Sequence, residues 1–194
     1  MLKKILLLLV LVCSLGVSAQ QRIAVVDMDK LFREYYKTKI VEANLRRQAD
    51  IYKEYAVKLQ EDIRRLQQEF ITLRDASLNM VLTPAARESK RLAARDKYAQ
   101  IVAKENELKN YNREKQALLR EDQEKQREKI LADIQTVVRN QATLGGFHLV
   151  LDKKAISLSG VPVVVFSTPA IDITEAVLKE LNAGHRQNNN KPAK

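Results

Sequence analysis

Few side chains in this sequence suit covalent or proton-transfer chemistry, and none is spaced to act with a partner. Its 194 residues include two histidines, His148 and His185, and one cysteine, Cys13. Acid–base or nucleophilic work needs such a group beside a base or an orienting carboxylate. His148 falls in the strand-like run Phe147-His-Leu-Val-Leu151 and His185 in a polar tail. Asp27 and Asp29 have the spacing of a metal pair, but helix capping and compensation of the first-turn dipole account for them better. Gly145-Gly146 follows a helical stretch and precedes a strand, the reverse of the order a phosphate loop needs. No catalytic, cofactor-binding or metal-ligating residue is assigned, and no enzyme activity is expected.

Binding chemistry is better represented. Arg74, Arg87, Lys90, Arg91, Arg95 and Lys97 crowd one stretch, offset only in part by Asp75, Glu88 and Asp96. Such a cluster is either an ordinary solvated face or an attractor of acidic chains and anionic lipid headgroups, lipopolysaccharide included. Leu78, Met80, Val81 and Leu82 form an apolar group beside it. They either pack against each other across a turn or meet a partner, where Met adapts to varied surfaces.

These groups sit on elements that the sequence delimits. Lys3 and Lys4, the apolar run from Ile5, and Val17-Ser18-Ala19 read as a signal peptide over 1–19, cut before Gln20. The run is too short for a membrane span of about 20 residues. Removing the leader takes Cys13 with it and lowers the net charge from +10 to +8. The mature chain then has no disulfide and no thiolate, and a bacterial periplasm is the expected compartment. Nucleic acid would also favour a basic chain, but export and the lack of a base-stacking platform argue against it.

Arg22-Ile-Ala-Val-Val-Asp27 reads as a buried strand, with Asp27 capping a helix whose apolar face carries Leu31, Phe32, Tyr35 and Tyr36. From about Val41 a heptad takes over. Leu45, Tyr52, Leu59, Leu66 and Leu73 alternate with Ala49, Ala56, Ile63 and Phe70, the seam of a coiled coil. The break at 78–84 ends in Thr83-Pro84, a cap followed by a first-turn proline. A second helix of nearly equal length should run to about Leu144 and fold back as a hairpin. Its expected seam is Ala94, Tyr98, Ile101, Leu108 and Leu119, with Glu105, Asn112 and Lys115 intruding. Ile130, Leu131, Ile134, Val137 and Val138 restore an apolar face before Gly145-Gly146 stops the helix. This register sets Leu45 near Leu119 and Leu66 near Tyr98.

Beyond the hairpin, strands are expected at Phe147–Leu151, at Ala155–Leu158 and at Val161–Phe166, the last an edge strand because of Pro162. Asp172-Ile-Thr-Glu175 has the capping-box pattern before a last helix through Val177, Leu178 and Leu181. The fold class is therefore α+β: a long antiparallel coiled-coil hairpin (41–129, tip near 78–84) projecting from a small β-rich oligomerisation body. The body is expected from 20–40 and 130–183, and 184–194 forms a disordered tail. Three or four strands with open edges argue for a cyclic oligomer. Ile23, Val25, Leu149, Leu151, Val163 and Val165 are its candidate contact residues.

Three stretches resemble the Skp/OmpH family of periplasmic chaperones. They are Arg22-Ile-Ala-Val-Val-Asp-Met-Asp-Lys-Leu-Phe32, Ile130–Val138 with its Ile134-Gln-Thr-Val137 centre, and Asp172-Ile-Thr-Glu-Ala-Val-Leu-Lys179. The resemblance implies an ATP-independent holdase without cofactors. It also implies a homotrimer whose three hairpins enclose a cavity for unfolded outer-membrane proteins. Ser157–Ala170 departs from the family pattern by being longer and more apolar. The competing reading from another class is a structural coiled-coil spacer or tether of the cell envelope.

Overall fold

The structure of the protein is a computed structural model that describes residues 21–185. The expected leader and most of the expected tail lie outside the described residues. In chain order the elements are β1 (Ile23–Val26), α1 (Met28–Glu34), α2 (Tyr36–Leu78), α3 (Pro84–Leu144), β2 (Leu149–Asp152), a 3-10 turn (Pro169–Ile171) and α4 (Thr174–Leu181). The chain divides into two compact units. One comprises the segments up to Tyr35 and from Asp133 onward, the other Tyr36–Ala132.

The first unit is built around β1. Its β-branched residues suit a covered strand, and Ala24, Val25 and Val26 are buried. β2 pairs with it in parallel, Ile23 opposite Leu149 and Val26 opposite Asp152. On the other edge Val25 bridges to Asp172, and the Ile173 amide donates to the Val25 carbonyl at 3.0 Å. Asp27 then caps α1 as its position implied, its carboxylate accepting the Lys30 amide at 2.8 Å. Leu31 and Tyr35 are buried. Tyr35 itself leaves the helix with extended backbone, so the chain breaks between α1 and α2.

Among the described residues two strands form, against three or four expected. Ala155–Leu158 and Val161–Phe166 build no sheet: a single antiparallel bridge, Ile156 to Pro162, joins them. Pro162 offers no amide for a ladder, and no neighbouring strand of the described residues is there to accept Val163–Phe166. The capping box also fails. The Asp172 carboxylate accepts the Thr174 amide at 2.9 Å, while Glu175 pairs with Lys30 instead of reaching back. At the end of α3, Gly145-Gly146 does act as the stop. Gly146 has φ +64. The Phe147 amide donates to the Ala142 carbonyl at 2.9 Å and the Gly146 amide to that of Thr143 at 3.1 Å, a Schellman closure. A Cβ on Gly145 would strike the Phe147 ring at 2.5 Å.

The second unit is the antiparallel pair of α2 with the first part of α3. The two helices are unequal, 43 and 61 residues; the break at Tyr35 accounts for part of the difference. All nine seam positions expected on α2 are buried or half-buried. Ile63, Leu66 and Ile101 form its core cluster, with Phe70 and Leu108 against them.

On α3 Ala94, Ile101, Leu108, Lys115 and Leu119 take the expected seam positions, while the positions between them lie one residue earlier than expected. Ala94, Lys97, Ile101, Lys104, Leu108, Tyr111, Lys115 and Leu119 are the covered positions, while Tyr98, Glu105 and Asn112 are exposed. Lysine stems therefore line the interface, burying their methylenes while the ammonium groups stay in water. Each finds a carboxylate: Lys97 with Glu69 at 2.6 Å, Lys104 with Glu107 at 2.8 Å and Lys115 with Glu114 at 2.8 Å. Lys115 also lies 5.5 Å from the ring centres of Tyr52 and Tyr111. The Tyr55 ring is 4.7 Å from that of Tyr111.

Candidate interaction surfaces

Two kinds of surface stand out among the described residues, an apolar–basic tip on the hairpin and an apolar arm on the first unit. The tip is organised by short local bonds. The Asn79 carboxamide oxygen accepts the Val81 amide at 2.9 Å, and the Leu82 amide donates to the Asn79 carbonyl at 3.2 Å. Thr83 caps α3, its hydroxyl accepting the Ala86 amide at 3.3 Å, with Pro84 in the first helical position. These bonds hold the turn through backbone and polar side-chain groups. Leu78, Met80 and Val81 are 71%, 80% and 91% exposed, and only Leu82 is half-buried. Three of the four thus do not pack across the turn.

The basic residues separate into paired and unpaired groups. Arg74 contacts Asp75 at 2.8 Å, Arg91 forms a two-pronged pair with Glu88 at 2.6 and 2.8 Å, and Lys97 is held by Glu69. Hydrogen bonding from Arg91 and Lys97 holds the Glu88 and Glu69 carboxyls below their usual range. Arg87 directs Nη1 at the Met80 sulfur, 3.0 Å away. Lys90 and Arg95 are exposed and have no carboxylate partner among the described residues.

Where Ala49 and Ala56 face Tyr111, Lys115 and Leu119, the hairpin encloses a cleft of about 330 Å³. Small side chains on α2 lie there beside a tyrosine and a lysine, so the interface stays incompletely filled.

Of the expected body residues, Val25 is buried and Leu151 half-buried. Ile23 and Leu149, opposite each other across the strand pair, are 41% and 47% exposed. Val163 and Val165 lie outside any strand and are exposed. An ion cluster that the sequence reading missed closes this unit. Lys153 Nζ is 2.7 Å from Asp172 and 3.8 Å from Asp27. The Thr174 hydroxyl accepts the Asp27 amide at 2.9 Å. His148 has a structural role, its Nδ1 accepting the Arg22 amide at 3.1 Å. Among the described residues, no three His, Cys, Asp or Glu side chains converge as metal ligands, and no helix is long and apolar enough to cross a membrane.

A long two-helix hairpin and a small unit built from both end segments of the chain define a class of helical-hairpin proteins. The chain matches the family described as outer membrane protein (OmpH-like) over residues 22–181, and it belongs to that family. A crystal structure of a candidate outer membrane chaperone (OmpH-like) from Caulobacter crescentus superimposes with a TM-score of 0.66. It shares 16% identity, and 86% of each chain is covered. No curated protein gives a significant match.

Proposed function

We propose that the mature chain is an ATP-independent holdase. It would bind unfolded outer-membrane proteins in the periplasm of a Gram-negative-type bacterium and prevent their aggregation in transit. The leader would be removed near Ala19, and the working form would be a homotrimer. The observation that carries this reading is the tip: three large apolar side chains left in water beside the unpaired cations Lys90 and Arg95. An unfolded β-barrel segment is apolar and often acidic, and it meets both features at once. Family membership and the chaperone description of the Caulobacter structure agree with it. Affinity would come from many weak contacts, and release would follow as folding into a membrane removes the client from equilibrium. Anionic membrane surfaces or lipopolysaccharide are a second partner class for the same cations.

The test is light scattering of a denatured β-barrel protein diluted from urea, with and without the mature chain at near-stoichiometric ratio and no nucleotide. Suppression is the expected result. Unchanged scattering would sink the proposal.

A further inference from the structure

With the leader removed, two of the three methionines remain, Met28 and Met80. Their surroundings differ. Met28 is half-buried at the start of α1, while Met80 stands in the tip turn and is 80% exposed. A thioether is oxidised where an oxidant can reach it, and the more accessible sulfur is the one in the tip.

That sulfur also has a cationic neighbour. Arg87, the fourth residue of α3, directs Nη1 at the Met80 sulfur, 3.0 Å away. A thioether is a weak acceptor, whereas a guanidinium carries five N–H donors. Arg87 Nε is buried and has no hydrogen-bond partner among the described residues. A buried donor left unmatched costs stability. The adjacent carboxylate of Glu88 is already engaged by both prongs of Arg91. The turn thus sets a guanidinium with a donor to spare against an oxidisable sulfur.

We propose that Met80 is a site of reversible oxidation and that Arg87 holds its sulfoxide, pinning the tip turn to α3. Hydrogen peroxide is the simplest oxidant of the class. The bond from Arg87 engages one sulfur lone pair, and the other attacks a peroxide oxygen. The S–O bond forms as the O–O bond breaks. The proton of the transferred hydroxyl passes to the departing hydroxide. Sulfur loses two electrons, and peroxide ends as the sulfoxide oxygen and water. The new oxygen lies one bond from the sulfur and carries partial negative charge, so it accepts strongly from a charged N–H donor. A flexible apolar side chain becomes a polar one, and sulfoxide reductases reverse the change. Resting on the proposed client role of the tip, this makes oxidation a brake on capture.

The mature protein is treated with dilute hydrogen peroxide and followed by peptide mass spectrometry. Met80 is expected to gain one oxygen several-fold faster than Met28. Amide hydrogen exchange over residues 79–83 is expected to slow several-fold, and to recover when methionine sulfoxide reductases and a thiol are added. In Arg87→Ala, Met80 should still oxidise, but exchange should not slow. Equal oxidation of the two methionines, exchange unchanged by oxidation, or the same slowing in Arg87→Ala each overturns the proposal. Suppression of aggregation should fall several-fold on oxidation, and this effect should vanish in Met80→Leu. Slowed exchange with undiminished suppression leaves the oxidation site standing and overturns the tip as the client surface. A reduced chain that suppresses nothing overturns the proposed function alone, because the mass and exchange readouts need no client.

Discussion

Lys153 reaches Asp172 across 19 residues of chain, its ammonium 2.7 Å from the carboxylate. It ties the turn after β2 to the start of α4, where Asp172 also bridges to β1 through Val25.

This pair makes the first unit sensitive to pH at both extremes. Burial alone would raise the Asp172 pKa. The hydrogen bonds from Lys153 and Thr174, with the Lys153 charge, outweigh it and leave the carboxyl below its usual value. The bond to Asp172 raises the Lys153 pKa against a partial desolvation penalty. A depressed carboxyl stabilises the fold above its unfolded pKa, and that contribution is lost as pH falls through the folded value. A raised lysine stabilises below its unfolded pKa, and that contribution is lost as pH rises through the folded one. Stability should therefore be flat near neutrality and decline toward both ends. Asp172→Asn should cost about 1–2 kcal/mol at pH 7 and weaken the acid decline, measured by denaturant melts across pH. An unchanged acid limb would count against the pair.

The lysine seam predicts unlike outcomes at adjacent positions. Lys104→Leu should raise the melting temperature of the hairpin by roughly 2 °C or more, since apolar surface replaces a snorkelling stem. Glu105→Leu, on the exposed face, should leave it unchanged. Ile101→Ala, in the core cluster, should cost about 2–4 kcal/mol. Equal effects of the two leucine substitutions in thermal melts would return the seam to the frame that contains Glu105.

At the tip, stability and binding should separate. Leu78→Ser/Met80→Ser/Val81→Ser removes side chains that contact little, so stability should change by no more than about 0.5 kcal/mol. Suppression of aggregation should weaken several-fold. Full activity of a well-folded triple variant would remove the tip from client binding.

The unpaired cations should act on capture rate. Lys90→Gln/Arg95→Gln should slow association with an acidic unfolded client and flatten its dependence on salt, read by stopped-flow fluorescence between low and physiological ionic strength. Arg91→Gln should do less, because Glu88 already occupies that guanidinium.

The legible parts of this fold were those written locally. Asp27 three residues before Lys30, Thr83 before Pro84, paired glycines after Leu144 and the Leu45–Leu73 heptad each state their structure within a few residues. The returning seam was misread at alternate positions because Lys97 and Lys104 look polar by residue type, while their stems are apolar. Only the unbroken 3-4 spacing from Ala94 through Lys115 pointed to the true frame. Val161–Phe166 has strand composition and no strand, since composition cannot supply a neighbour. The Lys153 cluster and the pairing of β1 with β2 depend on residues far apart in sequence, which no local pattern signals. Among candidate surface residues, type and position in the chain marked the tip, but which cations are already paired required coordinates.

The parallel pairing of β1 with β2 also orders events in time. The Arg22 and His148 backbones that open this pairing are 126 residues apart. Closing so long a loop costs entropy that grows only with the logarithm of its length, but distant contacts are slow to find. The hairpin, whose contacts are nearer in sequence, should therefore assemble first. β1 emerges early and remains an unsatisfied strand until nearly the whole chain is present. A protein proposed to shelter unfinished β-strands must, during its own folding, spend an interval as one.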